Sequence, residues 1–235
     1  MVPCVSRNFS LSLALSHLCR TLKSHCFSTK NGESIVGHST IEDILFDAKS
    51  AFYILNPEQN LAKTEDHFTK VFKDKYTPWT GIASRFPTNV ECIFPRQQAF
   101  SYLGHGNGSQ FLMHAYKQGE RAQLISLLFG CSSAKGKWSG RLEPFYSIFF
   151  QLVMGCPTVL GYLWNVTDGD SDRFTTRLFQ DWLCENKTNI SDEPLPVQSM
   201  QASRACKMRN LIGKAAVVYG LPVSASRTSL FPSSI

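Results

Sequence analysis

Two residues in this chain have the type and the setting for nucleophilic catalysis. His105 stands between Gly104 and Gly106, directly after the apolar run Ala99-Phe100-Ser101-Tyr102-Leu103. Glycine on both sides lets the backbone turn tightly and lets a substrate approach, and the following amides can point outward as donors. A lone histidine is more often only part of a turn. The Gly-His-Gly-x-Gly frame at a strand end makes this one a candidate general base. Cys131 has the same address on the next apolar segment, after Gly130 and before Ser132-Ser133. A cysteine is by default a buried core residue. One placed where the chain leaves a sheet can be partly exposed, as a nucleophile must be. The pair implies acyl transfer. Imidazole favours the thiolate or takes its proton, and the thiolate attacks a scissile carbonyl. Backbone N–H groups at Gly106 and Cys131 are the natural oxyanion donors. His105 then protonates the leaving amine, and water resolves the acyl-enzyme.

A third group is the acidic cluster Asp168, Asp170 and Asp172. Aspartates at a helix start often serve only as caps or dipole partners. A three-acid loop can bind a cation. Beside a Cys/His pair, one desolvated carboxylate could instead receive a substrate Arg or Lys side chain, a contact that gives strong specificity.

These residues need a scaffold, and the middle of the chain repeats one grammar. Apolar runs at 99–103, 122–129 and 158–166 each end in a turn that carries, in order, His105, Cys131 and the acidic cluster. Further strands are expected at 51–55, stopped by Asn56-Pro57, at 81–84 and at 215–219. Helical spacing marks 64–75, 144–154 and 172–184, and a basic helix is expected over 200–211, with Arg204, Lys207 and Arg209. Residues 41–49 read as a short helix or an approach loop, and 185–199 as a polar surface loop. Apolar strands alternating with helices imply an α/β fold with a mostly parallel sheet covered on both faces. In such sheets function gathers beyond the carboxyl ends of the strands.

Composition narrows the class. The 235 residues are 43% hydrophobic, 12% aromatic and 18% charged, enough for a sizeable core. No uncharged apolar stretch reaches the ~18 residues of a membrane-spanning helix. The net charge of +6 suits an acidic polypeptide as well as nucleic acid, but Lys and Arg are spread out and no nucleic-acid motif occurs. The eight cysteines form neither a CxxC pair nor a Cys/His zinc spacing, so reduced thiols are favoured and no metal or cofactor is expected. Residues 1–32 lack Asp and Glu, like a targeting presequence; Phe9, Leu11, Leu13, Leu15, Leu18 and Leu22 fit a packed helix better. The expected organisation is an N-terminal helix and loop over 1–40, the main domain over 41–223 and a loose tail over 224–235.

Several segments resemble the separase protease domain, in the caspase-like clan of cysteine peptidases. They are Phe100-Ser101-Tyr102-Leu103-Gly104-His105-Gly106-Asn107-Gly108, Leu127 through Ser133, Gly155-Cys156-Pro157, Leu163 through Thr175, Ala205 through Arg209, and Val218 through Pro222. Val5-Ser6-Arg7 and Tyr53-Ile54-Leu55-Asn56-Pro57 also fit. The resemblance spans about residues 3 to 223. It implies a caspase-like three-layer α/β sandwich with His105 and Cys131 as the catalytic dyad. It implies cleavage after arginine in the kleisin subunit of cohesin at anaphase, in cytoplasm and nucleus, under an inhibitory chaperone of securin type. By motif position Asp172 is the best match for the carboxylate that receives the arginine, with Asp168 and Asp170 as rivals. The chain departs from the family pattern in four places. The long helical-repeat region and the Leu-Pro-Trp-Glu-type strand that precede the domain are absent. The 87–100 segment is short, and Asn165 stands where the family often has Asp. The first two leave open a truncated, weakly active or inactive fragment that only binds securin-like or kleisin segments.

Overall fold

A computed structural model of the chain describes residues 44–86, 97–108, 110–112, 124–137, 140, 146–183 and 193–226. The expectations for 1–40 and for the shortened 87–100 segment lie mainly outside them.

The described elements run β1 (Ile44–Asp47), β2 (Ala51–Leu55), α1 (Ala62–Lys75), β3 (Thr80–Ala83), β4 (Ala99–Leu103), β5 (Ile125–Leu128), α2 (Ser147–Val153), β6 (Thr158–Tyr162), α3 (Asp168–Trp182), α4 (Leu195–Ala202), β7 (Ala216–Gly220) and β8 (Val223–Ser226). Six strands form one sheet in the order β3-β2-β4-β5-β6-β7. Every pairing in it is parallel except β6–β7, which is antiparallel.

Side chains alternate across this sheet and bury both of its faces. Ala51, Leu55, Ala99, Leu103, Ile125 and Leu127 pack with Phe68 and Phe72 of α1 and with Phe174 and Phe179 of α3. Phe52, Ile54, Phe100, Tyr102 and Leu128 pack on the other side with Ile148 of α2. That is why β4, β5 and β6 read as unbroken apolar runs rather than as alternating ones. The layout is the expected three-layer sandwich. Aromatic contacts lock α1 to the sheet and to α3: the Phe72 ring centroid lies 4.1 Å from that of Tyr53 in β2, 5.6 Å from Trp79 and 6.3 Å from Phe179 of α3, and Phe68 lies 6.4 Å from Phe179. Such pairs contribute about 0.5–1.5 kcal/mol each beyond their area burial.

Three expectations are corrected. Residues 41–49 hold strand β1, which pairs in parallel with β8, about 180 positions away; no local periodicity could show that partner. The same pairing carries strand structure through Ser226, into the segment expected as tail, whose remaining residues 227–235 lie outside the described ones. The helix expected over 200–211 instead occupies Leu195–Ala202, within the presumed loop, and ends in a 3-10 turn at Ser203–Ala205. Pro194 is extended just ahead of it, and Pro196 sits in the first turn, where no intrahelical N–H bond is required. Beyond it, the Lys207 and Met208 amides donate to the Asp170 carboxylate rather than to helix carbonyls.

Candidate active site

Register brings the two reactive residues together. Tyr102 of β4 pairs with Leu128 of β5, and the strands run the same way. His105 and Cys131 each lie three residues beyond that pair, so they leave the sheet side by side at its carboxyl edge. Adjacent strands are only ~4.8 Å apart.

Local packing fixes each turn. A Cβ on Gly130 would collide with the Gly106 carbonyl oxygen and lie 2.7 Å from that of Gly104, so glycine allows the two turns to touch. Gly106 adopts φ +69°, and nothing lies within 4 Å of where its Cβ would stand, which leaves its face open to an incoming group. The Tyr102 hydroxyl donates to the His105 carbonyl at 2.7 Å. On the cysteine side, Ser132 takes a left-handed backbone at φ +54°, rare for a side chain that is not glycine. It is held there by Ser132 N–H to the Trp164 carbonyl at 3.1 Å and by Ser132 Oγ to Asn165 Oδ1 at 2.6 Å. Asn165 thus supplies the acceptor that an Asp would supply. Among the described residues, the N–H groups of Gly106 and Cys131 donate to no other group.

His105 and Cys131 line one open pocket. Leu61 and Thr64 from the start of α1 form one wall; Asp168, Ser171, Asp172 and Thr175 of α3 form another. The Cys131 thiol donates to the Val166 carbonyl at 3.0 Å. Cys131 is half-buried, whereas Cys156 and Cys206 are buried in the core. Burial, reinforced by the Asp170 charge, pushes the Cys206 thiol up to about 11, which keeps it protonated at neutral pH.

The three aspartates separate. Asp168 is exposed at the pocket mouth. Asp170 is 1% exposed and does not line the pocket. It accepts from the Lys207 N–H at 2.7 Å, the Met208 N–H at 3.3 Å, and Arg173 Nη2 at 2.8 Å. Burial works against its charge, but these donors outweigh it and hold its pKa below the usual carboxylate value. Asp172 faces the pocket, and its Oδ2 accepts from the Thr64 hydroxyl at 3.0 Å. Burial raises its pKa and the nearby Asp168 adds to that, while Thr64, His67 and Arg173 act in the opposite direction. Among the described residues no group of three His, Cys, Asp or Glu is arranged to hold a metal ion.

In the sequence Thr64 reads only as the first residue of a helix, and Leu61 carries no functional signal. Their place in the pocket wall follows from the packing of α1 on α3, and the one signal in the sequence was Asn56-Pro57 ending β2 beside the His105 turn.

Fold and pocket together define the class: a caspase-like three-layer α/β domain with a histidine and a thiol at neighbouring strand ends. Comparison with known proteins narrows it. The chain matches the family model described as separin, protease domain, over residues 3–171. It is 36% identical to separin of Mus musculus over 190 residues, covering 80% of this chain and 9% of that protein. It is 37% identical to separin of Saccharomyces cerevisiae over 181 residues, covering 72% and 11%. A crystal structure of the Saccharomyces cerevisiae separase–securin complex at 2.6 Å superposes with a TM-score of 0.70 at 29% identity, covering 89% of this chain and 14% of that one. The chain belongs to the separin, or separase, protease-domain family of cysteine peptidases. It spans about a tenth of the length of these curated relatives.

Proposed function

We propose that the chain is a cysteine endopeptidase that cleaves after arginine, with His105 and Cys131 as its dyad. The observation that carries the reading is the equal offset of these two residues from a paired position on neighbouring parallel strands, which opens both into the pocket that also holds Asp172. The thiol rests on the Val166 carbonyl. Catalysis starts when its proton passes to the His105 imidazole. The thiolate adds to the scissile carbonyl carbon, and the electron pair moves to oxygen, where the Gly106 and Cys131 N–H groups receive it. The tetrahedral adduct collapses as the amine leaves with the proton from His105. Water, deprotonated by His105, then releases the acid and restores the thiol.

Asp172 takes the arginine. It is the carboxylate that both faces the pocket and is partly desolvated, so a guanidinium gains a charge-assisted pair there. Asp168, exposed at the mouth, adds a weaker field, and Asp170 is occupied elsewhere. By its family, the natural substrate is the kleisin subunit of cohesin, cut at anaphase in cytoplasm and nucleus. The partner is a securin-like inhibitory chaperone, as the complex seen for the yeast relative suggests. A second reading, binding without cutting, draws on the thiol contact with Val166, which commits the proton to a backbone carbonyl.

The test is the reaction of the purified chain with an arginine-directed acyloxymethyl ketone. Endopeptidase chemistry predicts a thioether at Cys131. A chain that binds an arginine-containing pseudosubstrate yet never reacts supports the second reading.

A further inference from the structure

The residue that faces Asp172 belongs to a different helix and lies 108 positions away in sequence. Thr64 is buried, and its hydroxyl donates to Asp172 Oδ2 at 3.0 Å. It lines the same pocket as His105 and Cys131.

The first turn of α1 is built to hold it there. Asn56, at φ +46° after β2, is 2% exposed. Its N–H donates to the Leu103 carbonyl at 2.8 Å, at the end of the strand that leads into His105. Its side-chain oxygen accepts from the Asn60 and Leu61 N–H groups at 3.0 and 2.9 Å, which ties down the helix start where Leu61 itself offers no side-chain cap. Its amide nitrogen donates to Glu65, which also accepts from Ser84 Oγ. The turn is therefore fixed to β2, β4 and the end of β3 at once. A threonine that merely filled space would not need such a frame.

We propose that Thr64 is a positioning residue for substrate specificity: its hydroxyl fixes the orientation of the Asp172 carboxylate so that one oxygen is left for the substrate guanidinium. The pocket's specificity is then shared between α1 and α3, and the Asn56 network keeps the two in register with the dyad. This inference rests on the reading of Asp172 given above. The hydroxyl occupies one carboxylate oxygen with a neutral donor, which favours the ionised form without competing for charge. The other groups that bear on Asp172 are His67 on α1, Asp168 and Arg173 on α3, Tyr162 on β6, and His105 and Cys131 at the strand ends.

Thr64→Val keeps the shape and removes the hydroxyl, whereas Thr64→Ser keeps the hydroxyl and removes a methyl. Two readouts are taken on the full chain. The first is the ratio of labelling rates with otherwise identical arginine and citrulline acyloxymethyl ketones. The second is the titration of the Asp172 carboxyl followed by carbon-13 NMR, which needs no activity. Thr64→Val is expected to lower the ratio about tenfold and to move the Asp172 titration to higher pH. Thr64→Ser is expected to stay within about twofold of the parent in both. A valine variant that matches the parent, or a serine variant that loses as much as valine does, overturns the proposal. Asp172→Asn separates the two claims. If it leaves the ratio unchanged, the assignment of Asp172 to arginine fails, and the NMR titration alone then decides whether Thr64 controls the carboxylate.

Discussion

Asp170 and Asp172 stand two residues apart in the first turns of α3, yet they are held in opposite ways. Asp170 is the more deeply buried and keeps its charge, because two amides and a guanidinium converge on it. Asp172 is the one whose ionisation is discouraged, because desolvation works against its charge and a single hydroxyl is its only close donor among the described residues to offset it. Burial alone therefore does not decide the state of a carboxylate. The number of donors does, and a carboxylate left short of donors in a pocket has capacity for a cation that arrives. The helix uses one aspartate to fix the 207–208 turn and presents the next to the pocket.

The sharpest way to break this comparison is to remove Asp170. Asp170→Ala leaves the Lys207 and Met208 amides without their acceptor, and we expect a loss of about 3 kcal/mol in urea denaturation. Partly exposed Arg173 adds little to that figure. Asp172→Asn should leave stability equal or slightly higher. Its folded-state pKa is raised, so at neutral pH the ionised form costs the native state free energy that the amide does not. Equal destabilisation by the two changes would contradict the contrast.

Next in size is recognition. Asp172→Asn should lower the arginine-to-citrulline labelling ratio about a hundredfold, while a variant at Asp170 should change it only as far as the chain unfolds. The pH dependence follows with a definite sign. As pH falls through the raised pKa of Asp172, the carboxylate protonates and the ratio should fall, before the ordinary Asp range is reached. The stabilising share of Asp170 has the opposite placement. Its folded pKa is lowered, so its contribution is complete above the unfolded value and is lost only as pH falls through the lower folded one. Denaturation curves taken across that range check it. The smallest effect is at Asp168: Asp168→Asn should change the ratio by less than about threefold, because its charge is exposed and screened. A larger loss there than at Asp172 would reassign the arginine.

Much of this was legible in the chain, and the exceptions share one cause. Strands β4, β5 and β6 announced themselves as apolar runs ended by Gly- and Asp-rich turns, and once a parallel sheet was inferred, His105 and Cys131 had to emerge at its carboxyl edge. The separation of Asp170 from Asp172 was not legible. It depends on the amides of Lys207 and Met208, more than 30 positions away, which the sequence presented as part of a helix. Strand β1 was missed because its partner β8 is at the far end of the chain. Thr64 was missed for the same reason: its contact with Asp172 exists only because Phe68, Phe72 and Phe179 press α1 against α3. Local pattern reports elements and their ends; the contacts between ends belong to the packing.

The central claim is that Cys131 is the nucleophile of an arginine-directed pocket. The most direct measurement is reaction of the parent chain and of Cys131→Ala with an arginine acyloxymethyl ketone, followed by peptide mapping in a mass spectrometer. The account predicts one adduct, on Cys131, and none in a Cys131→Ala chain that is still folded by circular dichroism. An adduct on Cys156 or Cys206, or labelling that persists without Cys131, would contradict it.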